Sequence, residues 1–266
     1  MHFFRSVRIV LLIIFVASIV SVCSLVAQTK SYKRDYFVPE PLYFDLIRNL
    51  GARKGEIEGN MLTKIGKDHS PVYSPEIEYA FLDDHAVELE IAFEESHISE
   101  GKLAYQWTMG THGIYQHGIQ TIAQYSTRGL GQTYTALYLS GFKLNDTISF
   151  LMMNGFQTFS GKSYLSSGAL DQSDESLLDS KISKSIMSNR YLWNGNFFYD
   201  MSETWIFGLE INFRTNFKNE KEIIILPNSK YHFSKHSSFH LGLGMNRELD
   251  ANAYFPILVM RAILEF

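Results

Sequence analysis

Val87-Glu88-Leu89-Glu90-Ile91-Ala92-Phe93-Glu94 alternates between apolar and polar side chains except at Ala92, and this period of two sets the fold. Side chains on an extended strand point to opposite faces in turn, so Val87, Leu89, Ile91 and Phe93 share one greasy face while Glu88, Glu90 and Glu94 share a charged one. The same period of two runs through Trp205, Phe207, Leu209, Ile211 and Phe213, which alternate with Thr204, Gly208, Glu210, Asn212 and Arg214. It recurs at Tyr191, Trp193, Gly195, Phe197 and Tyr199 against Arg190, Asn194, Asn196 and Asp200, and at Ile57, Gly59, Met61, Thr63 and Ile65 against Glu56, Glu58, Asn60, Leu62 and Lys64. The runs are about ten residues long, the length a tilted strand needs to cross a bilayer, whereas soluble strands average nearer five or six.

Working outward, twelve such runs are expected, near 55–65, 73–82, 86–95, 102–110, 115–126, 132–141, 146–157, 188–200, 203–214, 222–233, 237–247 and 254–266. An even number suits a bacterial up-and-down barrel. Such a barrel has short turns at its periplasmic end and longer loops outside. The tight connections at Asp83-Asp84, Leu144-Asn145-Asp146, Met201-Ser202 and Ser234-Lys235 all fall in one alternate set. The longest connection, residues 160–187, falls in the other. In hydrocarbon every unpaired backbone group is expensive, so the sheet must close and the first strand must pair with the last. The fold class is therefore all-β: a transmembrane antiparallel up-and-down β-barrel of about twelve strands.

Residues 1–27 read as a signal peptide, with Arg5 and Arg8 before the apolar stretch 9–22 and Leu25-Val26-Ala27 as the cleavage site. Residues 28–54 are expected to form a periplasmic N-terminal segment. Leu42, Leu46, Ile47 and Leu50 have the spacing of a short amphipathic helix ended by Gly51, which suits either a lead-in arm or a small plug; an ordered arm is the reading adopted. Residues 55–266 form the barrel. The final strand puts Tyr254, Leu258, Met260, Ala262 and Leu264 on one face and Arg261 and Glu265 on the other, and it runs out at Phe266. That terminal Phe resembles the signal read by the outer-membrane barrel assembly machinery. Location in the outer membrane of a Gram-negative bacterium, among its lipids, follows.

With the greasy faces toward lipid, the lumen-lining candidates are Glu56, Glu58, Glu76, Glu78, Glu88, Glu90, Arg190, Glu210, Arg214 and Arg261. Lys230, His232 and His240 share that inner face. Carboxylates gather on the first strands and cations on the last, and closure places Arg261 toward the Glu56/Glu58 region. Such charges either set a transverse field across a water-filled channel or pair with one another inside a narrow lumen; a barrel this size favours pairing.

Other chemistry finds little footing. A net charge of −4 leaves no polybasic footprint for nucleic acid. The single cysteine, Cys23, lies in the leader, so thiolate catalysis and disulfides are not expected of the mature chain. There is no HExxH spacing and no glycine-rich phosphate loop, and neither metal nor cofactor is expected. His112 and His117 flank a glycine-rich turn, and His232, His236 and His240 straddle a strand–turn–strand. Ser238 with His240, or Ser234 with His236, would be the pair to suspect of an outer-membrane lipid hydrolase, but no nucleophile motif surrounds them and no enzyme is expected.

The aromatic hairpin from Trp193 to Trp205, Leu226-Pro227-Asn228, Leu241-Gly242-Leu243-Gly244, Asp250-Ala251 and the closing 259–266 carry a family likeness, as does Leu50-Gly51-Ala52-Arg53-Lys54-Gly55-Glu56. In these features the chain resembles the small outer-membrane barrels labelled transporters or meta-pathway phenol-degradation proteins. The resemblance implies a channel or transport-related barrel for small, hydrophobic or organic solutes and transfers no catalytic residue. A structural or surface-interaction barrel with a sealed lumen is the alternative.

Overall fold

The computed structural model describes residues 38–44, 46–66, 70–127, 131–163, 184–216, 221–248 and 253–266. The signal peptide expected over 1–27 and the central part of the 160–187 connection lie outside the described residues. Twelve strands follow one another: β1 (Ile57–Gly66), β2 (Val72–Leu82), β3 (His85–Glu94), β4 (His97–His112), β5 (Tyr115–Ser126), β6 (Gly131–Lys143), β7 (Ile148–Ser163), β8 (Lys184–Asp200), β9 (Trp205–Thr215), β10 (Lys221–Ser234), β11 (Ser237–Glu248) and β12 (Ala253–Glu265). Each pairs antiparallel with its sequence neighbours, and β1 pairs with β12, so the sheet is a closed barrel. The seam runs from Glu58 opposite Glu265 to Gly66 opposite Ile257. Closure leaves no open edge, as hydrocarbon demands.

Burial inverts the pattern of a soluble protein. Ile77, Leu89 and Leu103 are 57%, 55% and 59% exposed on the outside, while Glu58, Glu78 and Glu210 are at most 1% exposed inside. A continuous apolar outer band of this kind requires lipid around it. Aromatic rings collect at both of its margins. Tyr73, Tyr125, Tyr134, Phe156 and Tyr254 are exposed toward the end with the longer loops. Tyr79, Trp107, Tyr199, Trp205 and Phe233 are exposed toward the end with the tight turns. These are the two interfacial girdles of a membrane barrel.

Local chemistry fixes the tight turns. Asn145 Oδ1 accepts from Thr147 N at 2.9 Å and Ile148 N at 2.8 Å. Ser202 Oγ accepts from Trp205 N at 3.1 Å. Asp84 and Gly113 adopt positive φ, 66° and 60°. Short polar side chains that bond their own backbone, and residues that tolerate left-handed φ, are what such turns need. At the other end β7 and β8 are longer than the sequence pattern indicates and stay paired out to Ser163 opposite Lys184, beyond the ends of their neighbours.

The largest departure from expectation precedes β1. Among the described residues of 42–50 none is helical; they form bends, a turn and irregular backbone. Nor is the stretch an arm lying outside the wall. Val38, Leu42, Leu46, Ile47 and Leu50 are all 4% exposed or less, each packed against strand residues of the inner face.

Candidate functional site

Residues 38–54 enter the lumen from the tight-turn end, turn at Leu42-Tyr43, and return. At the base, Val38 and Leu50 lie against Gly141, where a methyl group would sit 3.1 Å from Val38 Cγ2 and 3.3 Å from Leu50 Cδ1. At the tip, the Tyr43 ring lies 5.0 Å from Lys64 Nζ and 5.9 Å from the Arg214 guanidinium carbon, close to the far ends of β1 and β9. On the way back Asp84 N donates to Ala52 O at 2.7 Å, and Lys54 N donates to Asp83 Oδ1 at 2.9 Å. That ties the exit to the β2–β3 turn.

The apolar side chains do not share one helical face because each has its own destination. Val38, Leu46 and Leu50 join Leu137, Leu139, Leu151, Met153, Leu192 and Phe198 from β6, β7 and β8. Leu42 joins Leu62, Ile224, Leu226 and Val259 from β1, β10 and β12. Ile47 and Ala52 meet the small residues Ala80, Ala86 and Ala104 of β2, β3 and β4. Buried apolar side chains of this size contribute roughly 1.5–3 kcal/mol each, so these anchors hold the segment firmly.

Wall side chains, together with Glu40 of the loop itself, which accepts from Asn49 N at 3.0 Å, partner its backbone. Glu210 takes the amides of Leu42 and Tyr43, the latter at 2.9 Å. Gly51 N donates to Thr108 Oγ1 at 2.8 Å, and Gln106 Nε2 donates to Arg48 O at 2.7 Å. Arg261 Nη1 donates to Pro41 O at 3.4 Å. A buried backbone that lacks helix or sheet partners must find such acceptors and donors elsewhere.

The charges complete the site. Glu58 stands opposite Glu78, and Glu78 opposite Glu88. One step further along, Glu76 stands opposite Glu90, and Glu90 opposite Lys102. Like charges directly across a ladder repel, so this acidic patch needs cations. Arg48 of the inserted segment supplies one. It bonds Glu58, reaches Glu56 at 3.3 Å and lies 4.0 Å from Glu78. Burial works against the Arg48 charge, but Glu58, Glu40 and Glu78 outweigh it and raise its pKa above the ordinary arginine value. Lys102 supplies the other: its Nζ contacts Glu90, lies 2.5 Å from Glu88 and 3.7 Å from Glu76. Oxygens of Glu76, Glu88 and Glu90 approach one another within 4.8 Å, close enough to hold a cation, and the Lys102 ammonium contacts all three.

The ten lumen candidates therefore separate into groups. Glu56, Glu58 and Glu78 surround Arg48; Glu76, Glu88 and Glu90 surround Lys102; Glu210 anchors the tip. Arg214 lies 3.8 Å from Glu222 and beside Tyr43. Arg190, across from Gln157 and partly exposed, belongs to the far half of the lumen. Arg261 does not face Glu56 and Glu58 as closure alone suggests. The register of β12 against β1 sets it opposite Leu62, with His240 on its other side, and it bonds Pro41 O. Ser238 and His240 also face the filled lumen, and Ser238 Oγ has no hydrogen bond to the imidazole. Ser234 Oγ is taken up in the turn, 2.8 Å from Ser237 Oγ.

The family model described as HAEPLYID-like matches residues 37–252. The chain belongs to the HAEPLYID-like family. Taken as one-letter residue codes, that description aligns with residues 38–45, identical at Glu40, Pro41, Leu42, Tyr43 and Asp45; Leu42 and Tyr43 form the turn of the inserted segment. Among curated proteins nothing matches. Among solved structures, the KdgM porin in complex with disordered oligogalacturonate superposes with a TM-score of 0.56 at 9% identity, covering 79% of this chain and 99% of that one. The NanC porin gives 0.54 at 10% identity, over 77% and 98%. The COG4313 outer membrane channel from Pseudomonas putida F1 gives 0.50 at 10% identity, over 89% and 100%. At these identities the HAEPLYID-like chain shares with them a fold, that of small outer-membrane porins and channels.

Proposed function

We propose that this protein is an outer-membrane channel barrel for small solutes, closed at rest by its own residues 38–54. The observation that carries the reading is that a loop outside the strands fills the lumen and, through Arg48, supplies a counter-charge to wall carboxylates that Lys102 does not reach. A barrel built only for structure can fill its lumen with its own strand side chains. Here, withdrawal of the loop would leave a lumen with Glu58, Glu78, Gln106 and Glu210 on one part of its wall and Leu137, Leu139, Leu151, Met153 and Leu192 on another, a polar path beside an apolar face. The fold shared with the KdgM and NanC porins supports passage of small molecules. The likeness to phenol-degradation barrels extends the proposal to small organic solutes, and Phe266, directly after β12, is the residue proposed to be read by the assembly machinery.

The three apolar clusters favour a second reading, in which the loop never leaves and the protein is a sealed barrel displaying residues 160–187. Proteoliposome uptake separates the two. Sugars, amino acids and aromatic acids are offered to the unaltered protein and to the Arg48→Met/Glu210→Gln variant. A channel gives slow uptake that rises in the variant. A variant whose loop is demonstrably displaced, yet which passes none of these solutes, supports the sealed barrel.

A further inference from the structure

The β4–β5 hairpin carries two histidines at its tight-turn end. Gly110 stands opposite His117, and His112 lies two residues further along β4, so the two imidazoles are diagonal neighbours on one face. A bulge between Thr108 and Gly110 sets this parity; without its extra residue His112 would point into the lumen. The shared face is the outer one, since Gln116, between Tyr115 and His117, is buried toward the lumen. His112 is exposed and His117 half-buried, nearer the turn than Trp107 of the aromatic girdle. Diagonal neighbours start about 7–8 Å apart at the backbone, a span that two long side chains can close. These two approach each other, with ring centroids 5.8 Å apart and planes inclined by 24°. Their Nε2 atoms converge on one point. A methyl group on Gly110 would sit 3.4 Å from His112 Nε2 and 3.4 Å from His117 Nε2, with no atom from beyond the neighbouring residues closer. Gly110 has no side chain, so that point is open space faced by both nitrogens.

The surroundings orient His117. Its ring stacks on that of Tyr115, 5.4 Å away and 3° from parallel, and its Nδ1 lies 3.0 Å from Tyr138 Oη. Tyr138 Oη is in turn 3.0 Å from Tyr115 Oη. With Nδ1 protonated and donating to Tyr138, the lone pair of Nε2 is left for the space over Gly110. A hydrogen bond on the far nitrogen is how metal-binding imidazoles are held in one tautomer and one orientation. We infer that His112 and His117 form a two-imidazole seat for one divalent late transition-metal ion, zinc or copper, over Gly110 at the tight-turn rim. His112, exposed at the end of β4, swings to bring its nitrogen within the roughly 2.0–2.1 Å that such an ion requires. Imidazole suits these ions, whereas calcium and magnesium select oxygen. No third histidine or carboxylate among the described residues groups with the pair, so water completes the coordination and the ion exchanges readily. A bound ion ties β4 to β5 across their turn. This does not depend on whether solutes cross the barrel.

The whole protein, purified in detergent on a tag without histidine, is titrated with Cu2+ by calorimetry and by electron paramagnetic resonance. The unaltered barrel should bind one copper ion per chain and show nitrogen couplings from two imidazoles. Tyr138→Phe, which takes the partner from Nδ1, should weaken binding roughly tenfold, the usual effect of losing an orienting hydrogen bond. His112→Gln and His117→Gln should each weaken it further and leave at most one imidazole coupling. Gly110→Val keeps both imidazoles and places a β-branched residue that strands favour in the space between them and the ion. It should abolish the two-nitrogen signal. Heat-modifiable migration confirms that each variant is folded. An unaltered barrel without a stoichiometric copper site overturns the proposal whether or not the variants fold. Copper binding unchanged by His112→Gln and His117→Gln overturns it as well, because another part of the chain then holds the ion. A two-nitrogen signal that survives Gly110→Val removes the seat from its place over Gly110 and counts equally against it.

Discussion

Replacing Arg48 by Met is the most informative perturbation of the inserted loop. The guanidinium and the Glu58 and Glu78 carboxylates are almost wholly shielded from solvent, with side-chain exposures of 3%, 2% and 0%. Removing one member of a buried ion pair typically costs about 3–5 kcal/mol, because the partner charge stays behind. Since about 1.4 kcal/mol is a factor of ten, the equilibrium between seated and displaced loop should shift by roughly two to three and a half decades. Glu58 and Glu78 can take up a proton when the cation leaves, which moves the expectation to the lower end, about 100-fold. The strands are untouched, so the barrel should stay folded and keep its heat-modifiable migration on gels. The assay uses a thiol on the loop: Leu46→Cys, in a background with Cys23→Ser, reports displacement through its rate of reaction with a bulky, membrane-impermeant maleimide. Leu46 is 1% exposed, so labelling in the otherwise unaltered protein should be slow. With Arg48→Met it should speed up about 100-fold, and Arg48→Lys should recover part of the protection. A labelling rate unchanged within threefold, in a correctly folded barrel, would refute the role of Arg48 as a latch.

Glu210→Gln halves the acceptor capacity offered to the amides of Leu42 and Tyr43 and should lower stability by about 1.5–3 kcal/mol, read from urea unfolding of the loop by Leu46→Cys labelling. Lys102→Met strands Glu76, Glu88 and Glu90 together and should convert them into a divalent-cation site; calcium should then raise the variant's melting temperature saturably while leaving the unaltered protein unmoved. Leu103→Arg places a charge on the lipid face near the middle of β4 and should cost about 2–4 kcal/mol of folding free energy in bilayers. Ser238→Ala should leave any esterase background of the purified protein unchanged, because the hydroxyl faces a filled lumen.

The strands were legible because lipid imposes a strict period. Val87–Phe93 and Trp205–Phe213 announce their outward faces, and the parity of tight turns at Asp83-Asp84 and Met201-Ser202 orders them around the barrel. The loop was not legible in the same way. Leu42, Leu46, Ile47 and Leu50 have helical spacing, yet Glu210, Thr108 and Gln106 on distant strands claim the backbone that a helix would use. Nothing local records those long-range partners. One signal did exist. Leu137 and Leu139 on β6, Leu151 and Met153 on β7, and Leu192 on β8 lie on the inner face, where a water-filled barrel would place polar groups. A greasy inner wall implies something greasy to cover it, and Val38, Leu46 and Leu50, shortly before the first strand, do so. The acidic patch likewise gave a hint: carboxylates opposite one another at Glu58, Glu78 and Glu88 require cations, and Lys102 of β4 and Arg48 of the loop supply them.

Occupancy of the lumen can be tested in intact cells by placing a photo-reactive residue at Leu42. Val259 and Leu226 lie in the same apolar cluster as that side chain. A loop seated inside the barrel should give intramolecular cross-links mapping to peptides of β10 and β12, insensitive to protease added at the cell surface. Cross-links solely to other proteins, or none at all in a folded barrel, would mean that residues 38–54 do not fill the lumen.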